Sequence, residues 1–375
     1  MENYETLPAY MRKLGPAVML LLAVLAISAI TLALSIVKIN GDQVGIVEKK
    51  LGGGPLPENR ILAVNGENGT QASILMPGWH MFYWPWQYDV LKVPVTEIKQ
   101  DHIGLITTSD GQSLPPNTIY APEWNEPDKM INAQYFLKEG NGYKGPQLSV
   151  LKPGKYRINT KLFTVTQAPV VNVEIGTVAV VKSNVGERVE SDTRLVKKGQ
   201  RGVWNKPLPE GKYYLNTNAY EITKVDIRQV KVSYTAELEK GESATQERRP
   251  ISVRSNDGFT FPVDVRISYR IDRENAPRVV ATIGSDKLVL SKLVTPTVRA
   301  IFRNNAEQVK ALDYVQNRSV QEQQSSKMLQ KELSEYGITV LAVRIGDVGN
   351  EETLGALLKT QTDREIARSE ERRVG

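Results

Sequence analysis

His80 and His102 are the only imidazoles in a 375-residue chain that contains no cysteine. Disulfides, thiolate nucleophiles and sulfur-bound metals are therefore excluded, and any imidazole base or ligand would have to be one of these two rings. Neither sits in a His-x-x-x-His or His–carboxylate spacing, so packing or surface roles are expected and no metal ligand is assigned. Gly52-Gly53-Gly54 resembles a phosphate-cradling run, since glycine lets backbone N–H groups approach an anion. No Lys-Ser/Thr follows it, the G-x-G-x-x-G spacing is missing and Pro55 comes next, which reads as a flexible turn. There is no G-x-S-x-G nucleophile elbow, and no pair of carboxylates is singled out by spacing. The expectation is a protein that is not an enzyme, with no catalytic residue and no cofactor.

Two other groups of residues have the chemistry of contact. Trp79, Phe82, Tyr83, Trp84 and Trp86 follow Pro77-Gly78 closely and include three of the five tryptophans. Indole and phenol rings are favoured in a headgroup layer because one part is apolar and another hydrogen-bonds. A membrane-contacting loop is one reading, and an aromatic core for the surrounding β unit is the other. Near the end of the sequence, Asp363, Arg364, Glu365, Arg368, Glu370, Glu371 and Arg372 form a mixed-sign run on a helix-forming stretch. Such a run is commonly a solvated helix face, and it is also what flanks a coiled-coil seam between subunits.

The elements that position these groups begin with residues 17–37, which are uncharged and long enough for the roughly 20 apolar residues that cross about 30 Å of hydrocarbon. A transmembrane helix is expected there after a tail at 1–16, since a cleaved signal peptide has an apolar run of only about 7–15 residues. Basic residues lie on both sides of the span, so the orientation rests on a bare preference: N-terminus cytoplasmic, soluble part extracytoplasmic. Three weakly similar β-rich units follow at 39–95, 98–173 and 174–236, the second with a Pro-, Asn- and Gly-rich surface insertion at 114–145. Their shared marks are Gly41-Asp42-Gln43-Val44-Gly45-Ile46-Val47 with Pro77-Gly78, His102-Ile103-Gly104-Leu105-Ile106 with Pro153-Gly154, and Gly176-Thr177-Val178-Ala179-Val180-Val181 with Glu210-Gly211. After a polar hinge at 237–250, period-two alternation around Asn256-Asp257-Gly258 predicts a hairpin. Helical spacing follows, interrupted by Pro296, and the chain returns to a strand near Ile338 before a charged helix that starts near 351 and is expected to be cut short. The net charge of +6 is interleaved with acidic residues, so no nucleic-acid partner is expected.

From Val253 to Gly349 the chain resembles the stomatin, prohibitin and flotillin superfamily, also called SPFH or Band 7. The matching residues are Ser255-Asn256-Asp257-Gly258 with Val263-Asp264-Val265-Arg266-Ile267-Ser268-Tyr269-Arg270-Ile271, Thr295-Pro296-Thr297-Val298-Arg299-Ala300-Ile301, Asn317-Arg318, and Tyr336-Gly337-Ile338-Thr339-Val340. Residues 42–47 and 77–80 look like that family's first subdomain, whereas roughly 98–235 departs from the common pattern. The resemblance implies an α+β chain: a transmembrane helix, tandem small β-rich units, an SPFH-type β/α domain at 251–349 and the start of a helical or coiled-coil region at 351–375. It also implies a membrane-anchored homo-oligomer, a ring or cage, that organises microdomains or encloses a membrane protease or another membrane-protein client. Its partners would be membrane lipid and further copies of itself. Two rival functions remain: a periplasmic adaptor of an efflux or secretion complex, and a membrane-tethered hydrolase.

Overall fold

The computed structural model describes residues 9–189, 195–235, 249–349 and 351–374; side chains are described from Val18 onward and for part of the last helix. The expected hinge at 237–250 lies almost wholly outside the described residues. The chain divides into two compact units, one made of Met1–Val170 with Tyr214–Ala219 and the other of Val171–Tyr213 with Tyr220–Gly375.

The first unit opens with α1 (Ala9–Leu34), whose side chains from Val18 to Leu34 are apolar apart from Ser28 and Thr31 and are almost all exposed. Among the described residues no helix is long and apolar enough to cross a membrane. The expected span of 17–37 is also corrected at its far end. The helix stops at Leu34, Ser35 folds its hydroxyl back onto Leu32 O at 2.7 Å, and Val37 already belongs to a strand.

That strand begins a five-stranded module: β1 (Val37–Ile39), β2 (Gln43–Lys49), β3 (Gly69–Leu75), β4 (Gly78–His80) and β5 (Tyr88–Pro94). Here β1 pairs with β4, and β2 lies between β3 and β5. The plan recurs in β6 (Thr96–Ile98), β7 (His102–Thr108), β8 (Gly145–Leu151), β9 (Gly154–Tyr156) and β10 (Phe163–Pro169), with α2 (Pro127–Met130) and α3 (Ala133–Leu137) inserted before β8. The inserted stretch is more than a surface loop. Met130, Phe136 and Leu137 are buried in one core with Leu62, Ile106 and Leu162. Close packing explains Gly45 and Gly104. A Cβ on Gly45 would meet Ile39 Cδ1 at 2.9 Å and Leu75 Cβ at 3.0 Å, and one on Gly104 would meet Ile98 Cδ1 at 2.9 Å and Leu151 Cβ at 3.2 Å.

The second unit holds the third copy: β11 (Val171–Val173), β12 (Thr177–Ser183), β13 (Glu187–Arg188), β14 (Leu195–Val196), β15 (Gln200–Trp204), β16 (Gly211–Tyr213) and β17 (Tyr220–Asp226). Again the short outer strands pair, β11 with β16, and β12 lies between β15 and β17. A further sheet is built on β20 (Thr260–Ile271), which pairs with β18 (Val230–Tyr234) and β19 (Ile251–Arg254) and, along its other edge, with β21 (Ile338–Val348). Alternate residues of β20, from Phe261 to Ile271, are buried, as its period-two pattern requires. The helices are α4 (Ala276–Thr282), α5 (Asp286–Val289), α6 (Thr295–Glu307), α7 (Ala311–Gln316) and α8 (Arg318–Ser334); α6 and α8 pack on this sheet at β19 and β21, α4 packs on β12, β14 and β15 of the third copy, and α9 (Glu351–Val374) follows β21. Pro296 sits in the first turn of α6, directly after a π-helical turn at Leu290–Val294, where a missing N–H costs least. Asn305 donates to Ser325 Oγ at 2.8 Å in a buried link between α6 and α8. Val178, Val180 and Val225 of the third copy share one core with Val263, Val265 and Phe302 of the β20 sheet and its helices.

Candidate functional site

Each of the two histidines contacts a nearby backbone carbonyl. His80 lies on β4 with Nε2 2.7 Å from Met76 O, and His102 opens β7 with Nδ1 3.1 Å from Gln100 O. The first contact has counterparts in the other copies, where the Tyr156 hydroxyl donates to Lys152 O at 2.9 Å and the Tyr213 hydroxyl to Pro209 O at 3.0 Å. In each copy this ring stands two residues after a glycine of positive φ, namely Gly78 (142°), Gly154 (154°) and Gly211 (144°). Only glycine takes that backbone without strain. Among the described residues no group of three or more His, Asp or Glu could hold a metal.

The glycine run is a packing device. Gly53 N–H donates to Asn68 Oδ1 at 2.9 Å, Asn68 Nδ2 returns a bond to Gly53 O at 2.9 Å, and a Cβ on Gly53 would lie 2.6 Å from Gly66 O. The central N–H of the run, that of Gly53, is thus turned to the chain itself. A groove of about 410 Å³ in the first unit is lined by Ser73 and Ile74 of β3, Ile131 and Gln134 of the insertion, and the charged Asp128 and Arg157.

The aromatic stretch divides in two. Tyr83 and Tyr88 are half-buried, stand edge-on to each other with ring centroids 5.3 Å apart, and pack against the core of Ile39, Val47 and Leu75. Burial, with Tyr88 beside it, pushes the Tyr83 hydroxyl above the usual phenol range. Trp79, Phe82 and Trp86 turn outward, at 69%, 60% and 55% exposure, and half-buried Trp84 stacks on Trp86 with ring centroids 5.2 Å apart. The outward rings stand at the end of α1. Phe82 N–H donates to Ser35 Oγ at 3.3 Å, Tyr83 N–H to Ser35 O at 3.0 Å, and Lys38 Nζ lies 5.1 Å from the centroid of the Trp79 ring. The mixed-charge residues of the chain's last stretch all fall on α9. Asp363, Arg368, Glu370, Glu371 and Arg372 are exposed, whereas the side chains of Arg364 and Glu365 lie outside the described residues.

Sequence reasoning missed a seam between copies. Asn159, buried at 1% exposure, donates to Gln71 O at 2.9 Å and Ala72 O at 3.1 Å on β3 of the copy before it. Asn216 repeats the contact within the first unit, donating to Gln147 O of β8 at 3.0 Å. The signal was present in the repeated pairs Asn159-Thr160 and Asn216-Thr217, and in glutamines two residues after Gly69 and Gly145.

Comparison with known proteins places the second unit. The model of the SPFH domain / Band 7 family matches residues 171–374, more than half of the chain, and so takes in the third β-rich copy together with the β20 sheet and its helices. No curated protein matches the chain.

Proposed function

Because the chain belongs to the SPFH domain / Band 7 family, we propose that it is a membrane-anchored, oligomeric scaffold without catalytic activity that organises membrane microdomains or encloses a membrane-protein client such as a protease. The single observation that carries this reading is the order of parts along the chain. An apolar helix leads directly into small β modules, these into the Band 7 domain, and that into a charged helix. The family is typically membrane-associated. The described side chains of α1, Val18 to Leu34, cover about 26 Å, short of a span by themselves, and the uncharged sequence of the helix from 14 to 34 extends this to about 31 Å, against about 30 Å of hydrocarbon. Its Leu, Ile and Val side chains are left exposed by the other described residues, which supports burial in lipid. We assign the N-terminus to the cytoplasm and the soluble part to the other side.

On α9 the mixed-sign residues Asp363, Arg364, Glu365, Arg368, Glu370, Glu371 and Arg372 are proposed to pair with neighbouring copies along a ring or cage. One exposed pair contributes only about 0–1 kcal/mol, so single substitutions should change little, while removing the helix removes a contact that a closed ring repeats at every subunit. Truncation after Gly349 should therefore turn large particles into small species, measured by light scattering beside a thermal melt of the same protein. Large particles that survive truncation would refute the role given to α9.

A further inference from the structure

We propose that the outward end of the first module, formed by Trp79, Met81, Phe82 and Trp86, is seated in the headgroup layer of the bilayer around the end of α1; this rests on the anchor reading above. The molecule contains its own comparison. When the three copies are matched at the glycine turns Gly78, Gly154 and Gly211 and at the strands that open with Tyr88, Phe163 and Tyr220, Trp79 corresponds to Lys155 and Lys212, Met81 to Arg157 and Tyr214, and Trp86 to Lys161 and Asn218. All nine side chains are exposed. The module therefore folds with cations or polar groups at these places, and its own packing does not call for apolar ones. Only the copy joined to the apolar helix carries Trp, Met and Trp.

Phe82 sharpens the point. The segment from His80 to Tyr88 is one residue longer than Tyr156 to Phe163 or Tyr213 to Tyr220, and Phe82 is the added residue. It is held at φ +70°, a left-handed conformation that a bulky residue rarely adopts, and its ring points away from the module at 60% exposure. Its neighbour Tyr83 takes the inward place filled by Ile158 and Leu215 in the other copies. The bonds from Phe82 and Tyr83 to Ser35 set this patch at the point where α1 ends. There, indole rings gain an apolar environment while keeping a hydrogen bond, and the Lys38 ammonium over Trp79 reaches toward water or phosphate.

The test uses the full chain, which has no native cysteine. Met81→Cys, Arg157→Cys and Tyr214→Cys place one thiol at the matching position of each copy. Each is labelled with the environment-sensitive fluorophore NBD and reconstituted into phosphatidylcholine–phosphatidylglycerol vesicles containing headgroup-spin-labelled lipid. The probe at position 81 should be quenched about threefold more than the other two and emit to the blue of them, as expected for an interfacial site. Flotation of the same samples separates the two readings. A chain that floats while its position-81 probe is quenched no more than the others overturns the seated patch and leaves the anchor standing; a chain that does not float overturns both. Trp79→Lys with Trp86→Lys, which installs the residues of the second copy, should weaken quenching at position 81 with the unfolding transition retained. Loss of cooperative unfolding would mean that these rings are core, and would also overturn the proposal.

Discussion

Replacing Asn159 by alanine tests whether the seam between the first two modules is held by the contacts described. The amide donates to Gln71 O and Ala72 O at 2.9 and 3.1 Å, and Oδ1 accepts the Lys161 N–H at 3.0 Å. At 1% exposure water cannot replace these bonds without a cavity for it. Each lost bond costs about 0.5–1.5 kcal/mol, and a carbonyl left buried without a donor costs about 1–3 kcal/mol, so a total of about 2–4 kcal/mol is expected. For a unit of this size that corresponds to a fall of about 5–15 °C in the melting temperature. Asn159→Asp keeps the shape but exchanges a donor for an acceptor and sets a carboxylate against two carbonyl oxygens. At neutral pH it should be worse than alanine. The buried carboxyl would titrate above its usual value, so the added penalty is present above that pKa and fades as acid protonates the group and restores a donor. Circular-dichroism melts of the detergent-solubilised chain at pH 7 and pH 5 measure both effects. An alanine variant within about 0.5 kcal/mol of the parent, or an aspartate variant no worse than alanine at pH 7, would refute the assignment of the seam to this side chain.

Three other outcomes are expected. Gly104→Val should destabilise the second module by about 1–3 kcal/mol, seen as a lower urea midpoint, because its new atoms must displace Ile98, Val165 and Leu151. Arg228 donates to both oxygens of Asp226 and holds that carboxyl below its usual range, so its support is present above the unfolded-state value near about pH 4 and is lost as pH falls through the folded-state value. Arg228→Ala should therefore lower the melting temperature at pH 7, by an amount that shrinks as the pH falls through the folded-state value of Asp226. Asn184→Cys, at an exposed bend, should be labelled by a membrane-impermeant thiol reagent added to intact cells; protection there with labelling after lysis would reverse the proposed orientation.

Much of the strand order was legible because its markers are local. Pro77-Gly78, Pro153-Gly154 and Glu210-Gly211 each mark the turn before a short strand, and Asn256-Asp257-Gly258 marks the hairpin between β19 and β20. Both patterns work through backbone conformations that few residues tolerate. The end of α1 was harder to place. Ile36, Val37 and Ile39 continue the apolar run, but Val37 and Ile39 belong to β1, where they face the module's core rather than lipid. Hydropathy alone does not separate those two surroundings. The aromatic stretch was recognisable as special, yet its division was not, because a single inserted residue decides which rings turn inward. Insertion 114–145 looked like a surface loop from its Pro, Asn and Gly content, while the few residues that bury it, Met130, Phe136 and Leu137, lacked any long periodic run. The third copy seemed foreign to the family for a related reason: its valines meet Val263, Val265 and Phe302 only in three dimensions.

Only Ser35 and Ile36 separate α1 from β1, and the carbonyl and hydroxyl of Ser35 are both bonded to the loop after β4. This junction is a hinge with its pin removed. A Gly- or Ser-rich tether would let the helix swivel freely, whereas here a rotation of the helix about its axis must drag β1, and the loop beside it, along. If the helix leans, as helices do to match a thicker or thinner bilayer, the first module has to lean with it. The torque of that lean passes into the strands without a slack segment to absorb it. With α1 in a bilayer as proposed, bilayer thickness would become a mechanical input to the first β module, read out as the angle at which it is held.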